Sequence, residues 1–204
     1  MGAGYTILND LAICANYLLE ESLNGGTVTG VERVLVVDCD VHQGDGTAMF
    51  GGLVRRGGFS SSNKNDRKQR LFTLSIHCAS NYPRYKARST YDVGLPDGMG
   101  DEEYLSILEK SVEQALAEVD PHFVLYDAGV DVYIHDTLGR LKLTEEGIRR
   151  RDRWVLDRCV SAGIPCVGVI GGGYCKDVDE LARRHAIVHE EAAYVWRKHK
   201  LWIQ

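Results

Sequence analysis

The sequence predicts an α/β fold built on a largely parallel sheet, and three observations carry that prediction. Short runs of β-branched and apolar residues recur along the chain, amphipathic helical stretches separate them, and acidic or glycine-rich motifs directly follow three of the four runs.

Ile7, Leu8, Leu11, Ala12, Ala15, Leu18 and Leu19 fall at helical spacing, so a helix is expected over 7–19. Asn24-Gly25-Gly26 breaks it, and 33–37 (Arg33-Val34-Leu35-Val36-Val37) reads as a buried strand. Residues 51–70 are polar, with Gly57-Gly58, Ser60-Ser61-Ser62 and Asn63-Lys64-Asn65-Asp66, and read as a surface insertion. A second strand is expected over 72–76. A helix follows over 101–119, with Tyr104, Leu105, Leu108, Val112 and Leu116 on one face, and then a third strand over 123–126. Thr144-Glu145-Glu146 opens a further helix whose acidic first turn suits the helix dipole, ending near Ala162-Gly163. Arg149-Arg150-Arg151 reads as its solvated face. The fourth strand spans 165–170 and the last helix 178–198. The sequence carries no internal repeat, and the whole of 1–204 reads as one domain.

The 204 residues are 44% hydrophobic and 26% charged, which supports a real core and excludes a mainly disordered chain. No run approaches the roughly 18 apolar residues that a membrane helix needs. The opening Met1-Gly2-Ala3-Gly4-Tyr5-Thr6 lacks a signal peptide's basic and apolar parts. Its fit to the loose myristoylation pattern is read as chance. A net charge of −5 argues against direct binding to nucleic acid and suits cationic partners such as lysine-rich tails. The six cysteines form no C-x-x-C pair and mostly sit in apolar runs, as reduced thiols of an intracellular protein do.

In open parallel sheets the ligand site lies beyond the carboxyl ends of the strands. After the first strand comes Asp38-Cys39-Asp40-Val41-His42-Gln43-Gly44-Asp45-Gly46. In extended chain Asp38, Asp40 and His42 project to one side, and two carboxylates with an imidazole suit zinc. Asp127-Ala128-Gly129-Val130-Asp131 follows the third strand, and Gly171-Gly172-Gly173-Tyr174 the fourth. Taken singly, the aspartates suit caps or turns and the glycines a tight bend. Converging on one sheet edge, they suit a metal centre faced by a phenol.

In this order, D-x-D-V-H-x-G-D-G, A-G-x-D and G-G-G-Y resemble the zinc-dependent histone deacetylase family, which includes acetylpolyamine amidohydrolases and acetoin-utilisation-type proteins. Gly4-Tyr5-Thr6-Ile7-Leu8-Asn9-Asp10 is similar to that family's G-[FY]-C-x-x-N-[DN] segment, so the likeness runs from about Gly4 to the final helix. The resemblance implies a three-layer arginase/deacetylase-like fold, lacking its N-terminal part, and a partial catalytic domain over 1–204. It implies Asp40, His42 and Asp131 as ligands of one Zn2+, and Tyr174 as the donor to the substrate carbonyl. Gly4 and Gly172 are expected at the substrate by backbone, and Tyr5, Tyr82 and Leu138 as walls of an acyl-lysine tunnel. Plain core packing is the competing account of Tyr82 and Leu138. Asp38 and Ser75, with backbone near His42 and Ile76, match a structural K+ site, and Asp38 and Asp45 match carboxylates that orient the family's paired histidines.

Those adjacent histidines, the family's general base and acid, are absent from the sequence. General acid–base catalysis is worth about 10²–10⁴-fold, so an impaired hydrolase is expected. The implied reaction releases acetate and a free amine from N-acetyl-lysine, in a histone or another protein, or from an acetylpolyamine. One alternative is a non-catalytic scaffold that binds metal or acyl-lysine, with a protein partner covering the side where the family's front elements would sit. Another is a binuclear manganese ureohydrolase, which would need further ligands than Asp131 and Asp136. Neither nucleic acid nor membrane is expected as a partner, and the expected location is intracellular, in nucleus or cytoplasm. His135 is the one further histidine expected near the pocket mouth; His77, His122, His185, His189 and His199 receive no role.

Overall fold

The computed structural model describes residues 7–23, 25–54 and 70–203. The elements run α1 (Asp10–Leu23), β1 (Val34–Asp38), α2 (Asp45–Val54), β2 (Leu71–Cys78), β3 (Tyr91–Leu95), α3 (Asp101–Val119), β4 (Phe123–Asp127), α4 (Glu145–Ser161), β5 (Cys166–Val169) and α5 (Val178–Lys198), with a short 3₁₀ turn at Leu201–Ile203. All neighbouring strands are parallel, in the order β3-β2-β1-β4-β5. The expected α/β class holds.

Strand alternation builds the layers. Val34 and Val36 pack with Leu11, Ala15 and Leu19 of α1 on one face. Leu35 and Val37 pack on the other with Leu108 and Val112 of α3, Val155 of α4 and Ile187 of α5. Every residue of β1 is buried, because helices cover both faces of this central strand. At the sheet edge, β5 is only partly covered, leaving Val167 and Ile170 exposed.

Four expectations need correction. The first helix begins at Asp10, not residue 7, because Asn9 Oδ1 accepts the Ala12 amide at 2.8 Å and caps the helix there. Ile7 and Leu8 lie outside it, exposed. The start of the expected 51–70 insertion is the end of a helix, α2, while 55–69 lie outside the described residues. The edge strand β3 was not anticipated from the sequence. Finally, Arg151 is buried rather than solvated; only Arg149 and Arg150 of that triplet reach the surface, paired with Glu190, Glu191 and Glu102.

α4 starts where the sequence places it. Thr144 Oγ1 accepts the Gly147 amide at 3.0 Å and donates to Asp101 Oδ2 at 2.6 Å, tying the first turns of α3 and α4 together. Loss of such a cap costs about 1 kcal/mol. Thr144→Ala should therefore lower the urea midpoint without changing the m-value; an unmoved midpoint would show the cap to be energetically idle.

Candidate metal centre

β1 and β4 are in register, Asp38 beside Asp127, so the loops that leave them start at the same level. Asp40 and His42 lie on the first loop and Asp131 on the second. His42 Nδ1 is 3.1 Å from Asp40 Oδ1 and 3.0 Å from Asp131 Oδ2. One donor atom from each of the three lies within 4.8 Å of the other two, the one such group with room for a metal ion among the described residues.

The remaining carboxylate oxygens are held by backbone amides. Val41 N donates to Asp131 Oδ1 at 2.8 Å, and Gly172 N to Asp40 Oδ2 at 2.7 Å. The His42 amide also donates to Asp40 Oδ1 at 2.7 Å, and outer bonds of this kind orient metal-binding side chains. Gly172 crosses so close that a Cβ there would strike the carboxylates of both Asp131 and Asp40. A Cβ on Gly129 would lie 2.7 Å from Asp40 Cα, so the second loop also needs a glycine to pass the first. The residues fit a small cation with mixed oxygen and nitrogen ligands.

Electrostatics agree. Burial, then the nearby Asp40 charge, pushes Asp131 up to about 7. Burial opposes charge on His42, yet its hydrogen bonds to Asp131 and Asp40 prevail and raise it to about 10. Asp40 is itself lowered, burial being outweighed by bonds from His42. Burial and the charges of Asp40 and Asp131 lift Asp127 to about 8; burial and the charges of Asp127 and Asp40 raise Asp38. Carboxylates thus crowd one strand end, where a cation lowers the energy of the ionised forms.

Tyr174 stands beside His42, its ring 5.9 Å from the imidazole and nearly perpendicular to it. Its backbone is fixed twice: the amide donates to Asp136 Oδ2 at 2.7 Å, and the carbonyl accepts from Thr137 Oγ1 at 2.8 Å. Asp136 Oδ1 accepts the Leu138 and Gly139 amides, so Asp136 is a loop clasp rather than a further ligand. Residue type alone does not mark Asp136 and Asn81 as clasps. Asn81 donates to the Leu138 carbonyl at 2.8 Å and accepts the Arg140 amide, drawing the 138–140 loop toward Tyr82. Tyr82 and Leu138 are 50% and 42% exposed, which excludes their being core residues.

Asp38 does not join Asp40 and His42. The chain leaves extended geometry after β1, so period-two projection fails, and the buried Asp38 carboxylate turns inward to accept the Asp40 and Gly44 amides at 3.0 and 3.1 Å. Ser75, its register partner on β2, is buried and shares a hydrogen bond with His77 Nδ1 at 3.1 Å. Asp45 begins α2 and accepts the Gly46 amide. His135 is exposed and rests on the Tyr133 ring. Gly4 and Tyr5 lie outside the described residues.

The model of the histone deacetylase domain matches residues 1–190. An uncharacterised protein of Picosynechococcus sp. is 43% identical over 195 residues, 96% of this chain and 58% of the relative. Histone deacetylase 2 of Arabidopsis thaliana is 29% identical over 178 residues, 86% of this chain and 41% of the relative. This chain therefore spans about half the length of these curated relatives. The crystal structure of a histone deacetylase homologue from Aquifex aeolicus superposes with a TM-score of 0.67 at 24% identity, over 94% of this chain and 48% of that one, which shows the shared fold.

Proposed function

The chain belongs to the histone deacetylase family, and from that premise we propose that it forms the metal-binding part of a zinc-dependent amidohydrolase acting on N-acetyl-lysine. The single observation that carries this reading is the convergence of Asp40, His42 and Asp131, with Tyr174 against the His42 ring. In it, Asp40, His42 and Asp131 hold one Zn2+. When bound, the ion supplies Lewis acidity toward the amide carbonyl and lowers the pKa of water.

The chain's own residues do the rest. Tyr174, with its backbone fixed by Asp136 and Thr137, holds a hydroxyl donor where negative charge develops on the carbonyl oxygen. Donors in comparable sites are worth about 3 kcal/mol. Tyr82 and Leu138 flank the acyl-lysine stem, with Gly172 backbone and, by resemblance, Gly4 and Tyr5 completing the channel. Asp38 and Ser75 serve a structural K+, a role their register pairing supports. Asp45 and Asp38 orient whatever base and acid the reaction uses. With no adjacent histidines in the sequence, this chain turns over slowly. The substrate is an acetylated lysine of a histone or another intracellular protein, or an acetylpolyamine; the net charge of −5 suits either cation.

The test is hydrolysis and binding of an acetyl-lysine peptide by the zinc-loaded protein. Tyr174→Phe should lower kcat about 100-fold while zinc content stays at one per chain. An unchanged rate, or lost zinc, would remove Tyr174 from the assigned role. A second reading, a non-catalytic subunit, draws on the exposed Val167 of β5 and Ile170 just after it, which suit a further protein segment laid along that edge. Zinc-loaded oligomers that bind the peptide without turnover would favour it.

A further inference from the structure

α4 lays Ile148, Asp152, Val155, Leu156 and Cys159 against the rest of the fold, and Arg151 lies on the same buried stripe with no exposed surface. A guanidinium out of water needs carbonyls and carboxylates in place of solvent. Arg151 Nη1 donates to the Gly129 carbonyl at 2.7 Å and to the Cys39 carbonyl at 3.2 Å. Its Nε donates to Asp152 Oδ1 at 2.8 Å, and the same oxygen accepts the Tyr126 hydroxyl of β4 at 2.5 Å. Nη2 has no hydrogen-bond partner, so the charge is met through Nε and Nη1.

The two carbonyls are informative. Cys39 immediately precedes Asp40 on the loop leaving β1, and Gly129 lies on the β4 loop that ends at Asp131. The β1–β4 register ends at Asp38 and Asp127, and one more ladder-like bond follows, from Cys39 N to Asp127 O at 3.0 Å. Beyond that point the hydrogen bonds described between these two loops run through the carboxylate of Asp131, with Val41 N and His42. The carboxylates of Asp40 and Asp131 repel one another. A non-ligand cation that bonds a carbonyl of each loop fixes the spacing at which they meet.

We propose that Arg151 is a positioning residue for the metal centre, one guanidinium setting the separation of the two ligand-bearing loops through their backbone carbonyls. The proposal rests on the assignment of Asp40, His42 and Asp131 as the metal ligands. A lysine at 151 cannot span both carbonyls and Asp152 at once, because it lacks the planar fork.

The experiment measures zinc affinity by chelator competition, and the visible absorption of the Co2+ form, in wild type, Arg151→Lys and Val155→Ala. Loss of outer partners of metal ligands costs about 10–100-fold in affinity. Arg151→Lys should bind zinc 10–100-fold more weakly and shift the Co2+ bands. Val155→Ala, a cavity on the same helix, should lower Tm yet leave zinc affinity and spectrum unchanged. Wild-type affinity and spectrum in folded Arg151→Lys would overturn the proposal, as would an equal loss in Val155→Ala. If Arg151→Lys does not fold, Asp152→Asn, which loosens the guanidinium while leaving an acceptor for Tyr126, is judged by the same criteria. A wild-type chain that binds no zinc refutes the metal assignment and this proposal together; normal zinc binding by wild type and by whichever of Arg151→Lys and Asp152→Asn is read refutes the bracing alone.

Discussion

Asp131→Asn should raise the thermal stability of the metal-free protein at pH 8 and at the same time abolish tight zinc binding. Asp131 is fully buried, and its carboxyl is raised to about 7 by burial and by the charge of Asp40. An acid whose folded pKa lies above its unfolded value of about 3.9 loses stability as pH rises through that interval. Above pH 7 the ionised form therefore costs the metal-free fold, on the order of a few kcal/mol, since each tenfold change in an acid's ionisation constant corresponds to about 1.4 kcal/mol. Asparagine resembles the protonated acid: its oxygen can still accept from Val41 N, and, with the Asp131 charge that helps raise His42 removed, its amide group can donate to Nδ1 of a neutral His42. Metal-free Asp131→Asn should accordingly melt higher than wild type at pH 8, with the gap closing toward pH 4. A neutral amide is a poor zinc ligand. The loss of affinity should exceed 100-fold, because disturbing only the outer partners of ligands already costs 10–100-fold. Thermal melts with and without chelator, together with zinc competition, measure both effects. Tight zinc binding by the variant would remove Asp131 from the ligand set.

The residues of this candidate centre were legible in the sequence, while their supports were not. Asp40, His42, Asp131 and Tyr174 sit in short motifs directly after strands, and a parallel sheet brings such ends together whatever the side chains elsewhere do. Their chemistry is written in residue type. The supports act through backbone, and residue type does not reveal them: Asn81 and Asp136 look like ordinary turn residues. Arg151 was concealed by its two charged neighbours, although it lies three residues after the buried Ile148 and four before the buried Val155, on the apolar stripe. α2 escaped because Gly46, Gly51 and Gly52 weaken helix propensity, and β3 because it is a five-residue edge strand with mixed burial. At the first helix, periodicity extended the expected start to Ile7, whereas capping by Asn9 set the true one.

The pH dependence of the unliganded centre leads to the other large expected effect. His42 is raised to about 10, from about 6.5, once its bonds to Asp131 and Asp40 outweigh burial. A base with a raised folded pKa contributes stability that is fully present below pH 6.5 and is lost as pH rises through 10. Asp131, raised to about 7, has the same sign at lower pH. Metal-free protein should therefore become steadily less stable from pH 7 to pH 10, by up to about 1.4 kcal/mol per pH unit for one proton. Zinc binding must displace that proton from His42, so affinity should increase about tenfold per pH unit over the same window. The gap between zinc-loaded and metal-free melting temperatures should then widen from pH 7 to pH 10, with zinc held constant by a chelator buffer. His42→Ala should flatten the metal-free curve in this range and lose the zinc-dependent gap. A gap independent of pH, or a slope that survives His42→Ala, would mean that the proton and the metal do not compete for the same imidazole.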